Sequence, residues 1–124
     1  MLEIILTLSL VCTVVLLFVT LFNEYYQQRL GVSCMPTTPK VRAHMMGLIE
    51  EYAKDGHANI VELGCGWGGM ARSATKRFPW LTTTGIEKSL FPYLFSKLRA
   101  VGNDTNIRHE NIYNYDLKDA DIIL

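Results

Sequence analysis

The segment Ile60-Val-Glu62-Leu-Gly64-Cys-Gly66-Trp-Gly68-Gly69 constrains this chain more than any other. An apolar run closes on a carboxylate and passes at once into glycines, so a strand must end in a turn whose backbone adopts positive φ and comes close to a ligand. A helix follows: Met70, Ala71, Ala74 and Phe78 make an apolar stripe opposite Arg72, Lys76 and Arg77, ending at Pro79. Such a unit aims free N–H groups and the positive end of the helix dipole at the turn, which suits a nucleotide. Gly64, Gly66 and Gly69 also satisfy the G-x-G-x-x-G pattern of dinucleotide-binding domains, so an NAD-dependent oxidoreductase is one reading. Glu62 weighs against it. A carboxylate two residues before the first glycine repels a pyrophosphate and favours a ligand with an ammonium group.

Around this unit, strands and helices alternate. Thr38 can cap and Pro39 can open a helix over Lys40 to Lys54, with Val41, Met45, Leu48, Ile49 and Tyr52 at helical spacing and packed on a sheet. Lys54 to Ala58 connects it to a strand over Asn59 to Leu63. Leu81 to Glu87 is a second strand, again closed by a carboxylate. Leu90 to Val101, with Leu94, Phe95 and Leu98 at helical spacing, is a third helix, stopped at Gly102. Asn106 to Glu110 is a third strand and Asp121 to Leu124 opens a fourth. This alternation predicts an α/β fold with a parallel sheet and right-handed crossovers, whose ligands bind outside the carboxyl ends of the strands. Glu62, the glycine turn, Glu87 and Asn111 all fall at those ends.

The N-terminus is of another kind. Ile4 to Phe22 is 19 residues without a charge, about what a roughly 30 Å hydrocarbon core requires. It reads as one transmembrane helix; a signal peptide is the rival, weakened by Glu3, the absence of Lys or Arg before the segment, and the lack of a small-x-small cleavage site. Tyr25 and Tyr26 suit the membrane boundary, and every Lys and Arg lies beyond the span, beginning with Arg29, Lys40 and Arg42. The positive-inside bias therefore places the C-terminal part on the cytoplasmic side. The expected organisation is an anchor over 1–23, a juxtamembrane linker over 24–36 and a domain over 37–124.

Val61-Glu-Leu-Gly-Cys-Gly-Trp-Gly68 resembles the first motif of class I S-adenosylmethionine-dependent methyltransferases, in which an acidic residue precedes G-x-G-x-G. Their cofactor carries an ammonium and a sulfonium but no phosphate. The resemblance implies a Rossmann-like sheet, usually of seven strands, so the chain is expected to be the N-terminal, cofactor-binding half of such a domain, truncated at the fourth strand and inactive alone. It also implies the site. Glu62 would organise the cofactor's ammonium end, with Gly64, Cys65 and Gly66 packed on its methionine part; Glu87, 23 residues after Gly64, would accept hydrogen bonds from the ribose hydroxyls; Asn111 and the Ile112 backbone would read adenine. Asn111 stands where many relatives have Asp, and Trp67 where Asp is common.

Met35-Pro-Thr-Thr-Pro39, the glycine motif and Asn111 to Asp121 together resemble small membrane-anchored prokaryotic relatives of the mitochondrial lysine methyltransferases that act on ATP synthase subunit c and the adenine nucleotide carrier. That resemblance implies Thr37 as a further cofactor contact, a protein lysine in or near the membrane as acceptor, and acceptor-side residues after the fourth strand. A non-catalytic membrane-anchored nucleotide-binding module is the remaining alternative.

Composition removes other classes. Residues 23–124 hold all 12 basic and 11 of the 12 acidic residues, a balance that gives nucleic acid no electrostatic footing. Cys12, Cys34 and Cys65 form no C-x-x-C pair and have no nearby His, so neither a metal site nor a disulfide framework is expected. His44, His57 and His109 read as surface or packing residues, and Asp116, Asp119 and Asp121 as poor candidates for catalysis.

Overall fold

A computed structural model describes residues 1–31, 35–53 and 56–124, apart from the side chain of Leu30. Cys34, Lys54 and Asp55, which entered the sequence-based expectations, lie outside the described residues. The chain divides into two compact units, Met1–Ser33 and Cys34–Leu124.

The first unit is a single helix, α1 (Leu2–Leu30), longer than the uncharged stretch because the polar residues after Phe22 continue it. It ends where Gly31 takes φ 66°, a left-handed cap whose N–H meets the carbonyls of Gln27 and Gln28. Within the apolar stretch, the hydroxyls of Thr7, Thr13 and Thr20 donate to backbone carbonyls one turn back, so these polar side chains carry their own partners. α1 is long and apolar enough to cross a membrane.

The second unit is built on a four-stranded parallel sheet in the order β3-β2-β1-β4, from β1 (Asn59–Leu63), β2 (Thr82–Glu87), β3 (Asn106–His109) and β4 (Ile122–Ile123). Helices α2 (Pro39–Tyr52), α3 (Gly69–Arg77) and α4 (Leu90–Ala100) alternate with the strands. The strands lie at their expected places, with β2 starting one residue later and β3 ending one earlier. The strand over Asp121 to Leu124 is assigned only at Ile122 and Ile123, yet Asp121 N–H donates to the Asn59 carbonyl, and Leu124 exchanges bonds with Val61 and Leu63.

β1→α3→β2 and β2→α4→β3 step the same way along the sheet, so right-handed crossovers put α3 and α4 on one face. There Met46 and Ile49 of α2, Met70 and Ala74 of α3, Phe78, Leu81 and Ile60 of β1 form the main core. A second cluster of Cys65, Ala71, Ala100 and Ile107 continues it beneath α4. The β3–β4 connection steps back, and handedness sends it over the opposite face, where Tyr115 and Ala120 share a small cavity with Val61 and Thr84.

Two helices depart from their expected packing. α2 ends at Tyr52 rather than Lys54 and buries Met46 and Ile49, while Val41, Leu48 and Tyr52 of the expected stripe stay exposed. α2 packs on α3 along a narrow seam, which takes only the side chains pointing straight at it. α4 departs further: it buries Pro92, Ser96 and Ala100 and leaves Leu94, Phe95 and Leu98 exposed.

Candidate functional site

β1 is the switch point of the sheet, because the chain leaves it toward β2 and later returns to its other side as β4. A crevice opens at the carboxyl ends of strands at such a point. The glycine turn lies there, folded by three positive φ values: 75° at Gly64, 52° at Gly66 and 72° at Gly68. The N–H groups of Gly64 and Cys65 both donate to the Ile86 carbonyl of β2, and Gly68 N–H donates to the Cys65 carbonyl.

The glycines differ in what surrounds them. A Cβ at Gly64 meets nothing within 4 Å, and one at Gly66 only the Gly64 carbonyl at 4.0 Å. At Gly68 it would stand 2.8 Å from the Ser96 Cβ, and at Gly69 2.9 Å from the Arg42 guanidinium. Gly68 and Gly69 thus admit α4 and Arg42, whereas Gly64 and Gly66 leave open space above the turn.

Two carboxylates brace the turn from below. Glu62 Oε2 accepts a 2.8 Å bond from Ala71 N–H, one of the orphan donors in the first turn of α3. Burial pushes the Glu62 carboxyl up to about 7, against the pull of Ala71 N–H and the Arg42 charge, with the Glu87 charge adding to the rise. Glu87 is 5% exposed, and both its oxygens are engaged: Oε2 accepts from Gly66 N–H at 2.8 Å and Oε1 from Ser89 N–H at 2.6 Å. Each oxygen keeps a lone pair for a further donor.

Arg42 is the residue that sequence reasoning missed. It sits in the first turn of α2, donates from its terminal nitrogen to the Thr37 carbonyl at 3.1 Å, and keeps its Nε shielded from solvent without a partner among the described residues. Thr37, half-buried, is thereby tied to the turn through Arg42. A cation close behind a proline-threonine entry segment is the only sequence signal, and its contact with a glycine 27 positions later is not periodic.

The remaining expected residues divide. The Cys65 side chain points into the core, against Gly85 and Ile107, and its thiol is pushed up to about 12, first by burial and then by the Glu62 and Glu87 charges. It packs, and what it offers a ligand is backbone. Asn111 and Ile112 follow β3, which is tied to β2 there by Glu110 N–H donating to the Glu87 carbonyl at 3.1 Å. The Asn111 side-chain oxygen accepts from Tyr113 N–H at 3.2 Å, an Asx turn that shapes this loop. Asp119 and Asp121 lie at the other end of the sheet, where Asp121 Oδ2 accepts from Asn59 N–H at 2.8 Å and the Asp119 carbonyl from the Asn59 amide. His57 and His109 bond backbone carbonyls. Among the described residues no cluster of three or more His, Cys, Asp or Glu could hold a metal ion.

No protein-family model and no curated protein matches the chain. Solved structures do. The plantazolicin methyltransferase BpumL, in complex with a triazolic desmethylPZN analog and SAH, aligns over 81% of this chain and 38% of its own at 23% identity and TM-score 0.60. An RNA methyltransferase from Salinibacter ruber, in complex with S-adenosyl-L-homocysteine, aligns over 72% of this chain and 58% of its own at 19% identity and TM-score 0.62. CalS10, an amino pentose methyltransferase from Micromonospora echinaspora with SAM bound, covers 79% and 37% at 21% identity and TM-score 0.52. The second unit therefore has the Rossmann-like fold of class I methyltransferases, and the chain spans less than two thirds of each of these proteins.

Proposed function

We propose that the chain carries the cofactor-binding part of a membrane-anchored S-adenosylmethionine-dependent methyltransferase. The observation that carries this reading is the set of groups around the glycine turn: open space above Gly64 and Gly66, a carboxylate at Glu62, and a cation at Arg42 whose Nε has no partner among the described residues. An amino-acid end with one ammonium and one carboxylate is what such a pair of opposite charges complements. Glu62 would hold the ammonium and Arg42 the carboxylate. Glu87, fixed by Gly66 and Ser89 N–H groups, would take ribose hydroxyls on its remaining lone pairs, and the loop at Asn111 and Ile112 would meet the base. Thr37 would close the methionine end. The Glu62 carboxylate beside the turn would repel a pyrophosphate, so a dinucleotide is the poorer fit.

The bound cofactor supplies a methyl group already activated on sulfur, so the protein's task is positioning. This chain's residues hold and orient the cofactor and wall its amino-acid end from water. We further propose, on the resemblance of the proline-threonine segment and the Asn111–Asp121 stretch, that a protein lysine in or near the membrane is the acceptor, and that α1 anchors the domain with its C-terminal part on the cytoplasmic side.

Calorimetric titration of the full chain with S-adenosylmethionine, S-adenosylhomocysteine and NAD tests the cofactor. Binding of the first two without NAD is expected; NAD binding alone overturns the reading. Transfer of a labelled methyl group to lysine in a membrane fraction tests the acceptor, and label on lipid or RNA would replace it.

A further inference from the structure

α4 is inverted relative to α3. α3 buries Met70, Ala71 and Ala74 and turns charges outward. α4 turns Pro92, Ser96 and Ala100 inward, the small residues that let it pass against Gly68, and so its larger apolar side chains face out. Leu90, Leu94, Leu98 and Val101 recur along one side and are 39%, 50%, 71% and 77% exposed, with Phe95 beside them at 45%. A soluble helix surface rarely carries a contiguous stripe of this kind without a partner. Lys88 and Arg99 flank it at its two ends, Lys97 turns its ammonium to the Ile107 carbonyl at 3.2 Å, and no Asp or Glu falls between residue 88 and Asp104.

We propose that the outward face of α4 rests on the headgroup region of an anionic bilayer. An interfacial helix combines such an apolar stripe with flanking cations that an anionic surface attracts. The proposal rests on the membrane reading of α1: only eight residues, 31–38, separate α1 from α2, so the domain is tethered by a short segment to any bilayer that α1 enters. Phe95 also meets the Trp67 ring edge-on at 5.3 Å, which links the docked helix to the glycine turn and would hold the crevice at the membrane surface.

The test uses the full chain in vesicles of phosphatidylglycerol and phosphatidylcholine carrying brominated acyl chains, with both tryptophans changed, Trp67→Phe and Trp80→Phe. A Leu98→Trp reporter should lose about half its emission or more to the bromines, while a Tyr52→Trp reporter at the end of α2 stays bright. Adding Lys88→Glu and Arg99→Glu, or omitting the anionic lipid, should restore most of the emission at position 98. Equal brightness at the two positions overturns the proposal. So does a blue shift at position 98 that grows with protein concentration and is not quenched, which would mark a second copy as the occupant. Alkaline carbonate extraction separates the two readings: a chain that stays in the pellet with an unquenched reporter keeps the anchor and loses the docking face, and a chain released to the supernatant loses the anchor itself.

Discussion

The two ends of the parallel sheet use the same interaction to opposite effect. At the amino end, the Asp121 carboxylate takes Asn59 N–H and the Asp119 carbonyl takes the Asn59 amide, so the start of β1 is stapled to the approach of β4. At the carboxyl end, Glu62 takes Ala71 N–H and Glu87 takes Gly66 and Ser89 N–H, but these carboxylates surround a turn that leaves open space above Gly64 and Gly66. One end closes on itself. The other is held in shape with unused bonding capacity, an Arg42 Nε without a partner among the described residues and a carboxyl raised by burial, as the proposed binding site requires.

The comparison breaks first at Glu87. Glu87→Ala removes the acceptor of two N–H groups, each worth about 1–3 kcal/mol when left buried and unpaired, so the chain should lose about 2–6 kcal/mol in urea unfolding and bind cofactor weakly. Retained stability would show that the turn is held by other means.

Gly66→Val should separate binding from folding. The new side chain enters open space at φ 52°, costing the fold about 1–2 kcal/mol of left-handed strain, while filling the cradle should lower affinity by roughly 100-fold, about 3 kcal/mol. Unchanged affinity by calorimetry would mean that no ligand approaches there.

Glu62 sharpens the contrast through pH. Its folded pKa is raised above 4.5 to about 7, so the folded state holds the proton more tightly than the unfolded one. That contribution is complete below pH 4.5 and is lost as pH rises to about 7. Affinity for an ammonium-bearing ligand should run the other way, gaining up to about tenfold per pH unit until the carboxyl ionises near 7 and then levelling. Glu62→Gln should flatten the affinity profile measured by calorimetry.

The smallest effect belongs to the closed end. Asp121→Ala should cost about 1 kcal/mol or less in unfolding, for one lost hydrogen bond at an exposed position, with no change in cofactor affinity. A change in affinity there would show that the two ends are coupled.

Much of this is legible in the sequence. Strand β1, the positive-φ turn and the start of α3 follow from glycine and apolar spacing, both local properties, and Thr38 caps α2 by accepting from Val41 N–H at 3.4 Å as its place before Pro39 implies. Alternation of strands and helices was sufficient for a parallel sheet with Glu62 and Glu87 at one end. What escaped was set by contacts distant in sequence. Periodicity marks α4 as a helix but does not say which side is buried; the approach of Ser96 to Gly68 turns the small residues inward and the leucines out. Cys65 looked like part of a cradle because of its neighbours, yet its side chain points at Gly85 and packs beneath the turn. Arg42 became part of the site only once α2 lay against Gly69.

The sequence by itself determined the elements, the turn and the long apolar helix, because steric limits on φ and the burial of apolar side chains act over a few neighbouring residues. Tertiary structure alone decided how the charges around the turn are spent. Glu62 is raised by burial, Glu87 accepts from Gly66 N–H of the turn and Arg42 Nε is left without a partner among the described residues, since desolvation and such hydrogen-bond partners arise only when segments far apart in the chain meet.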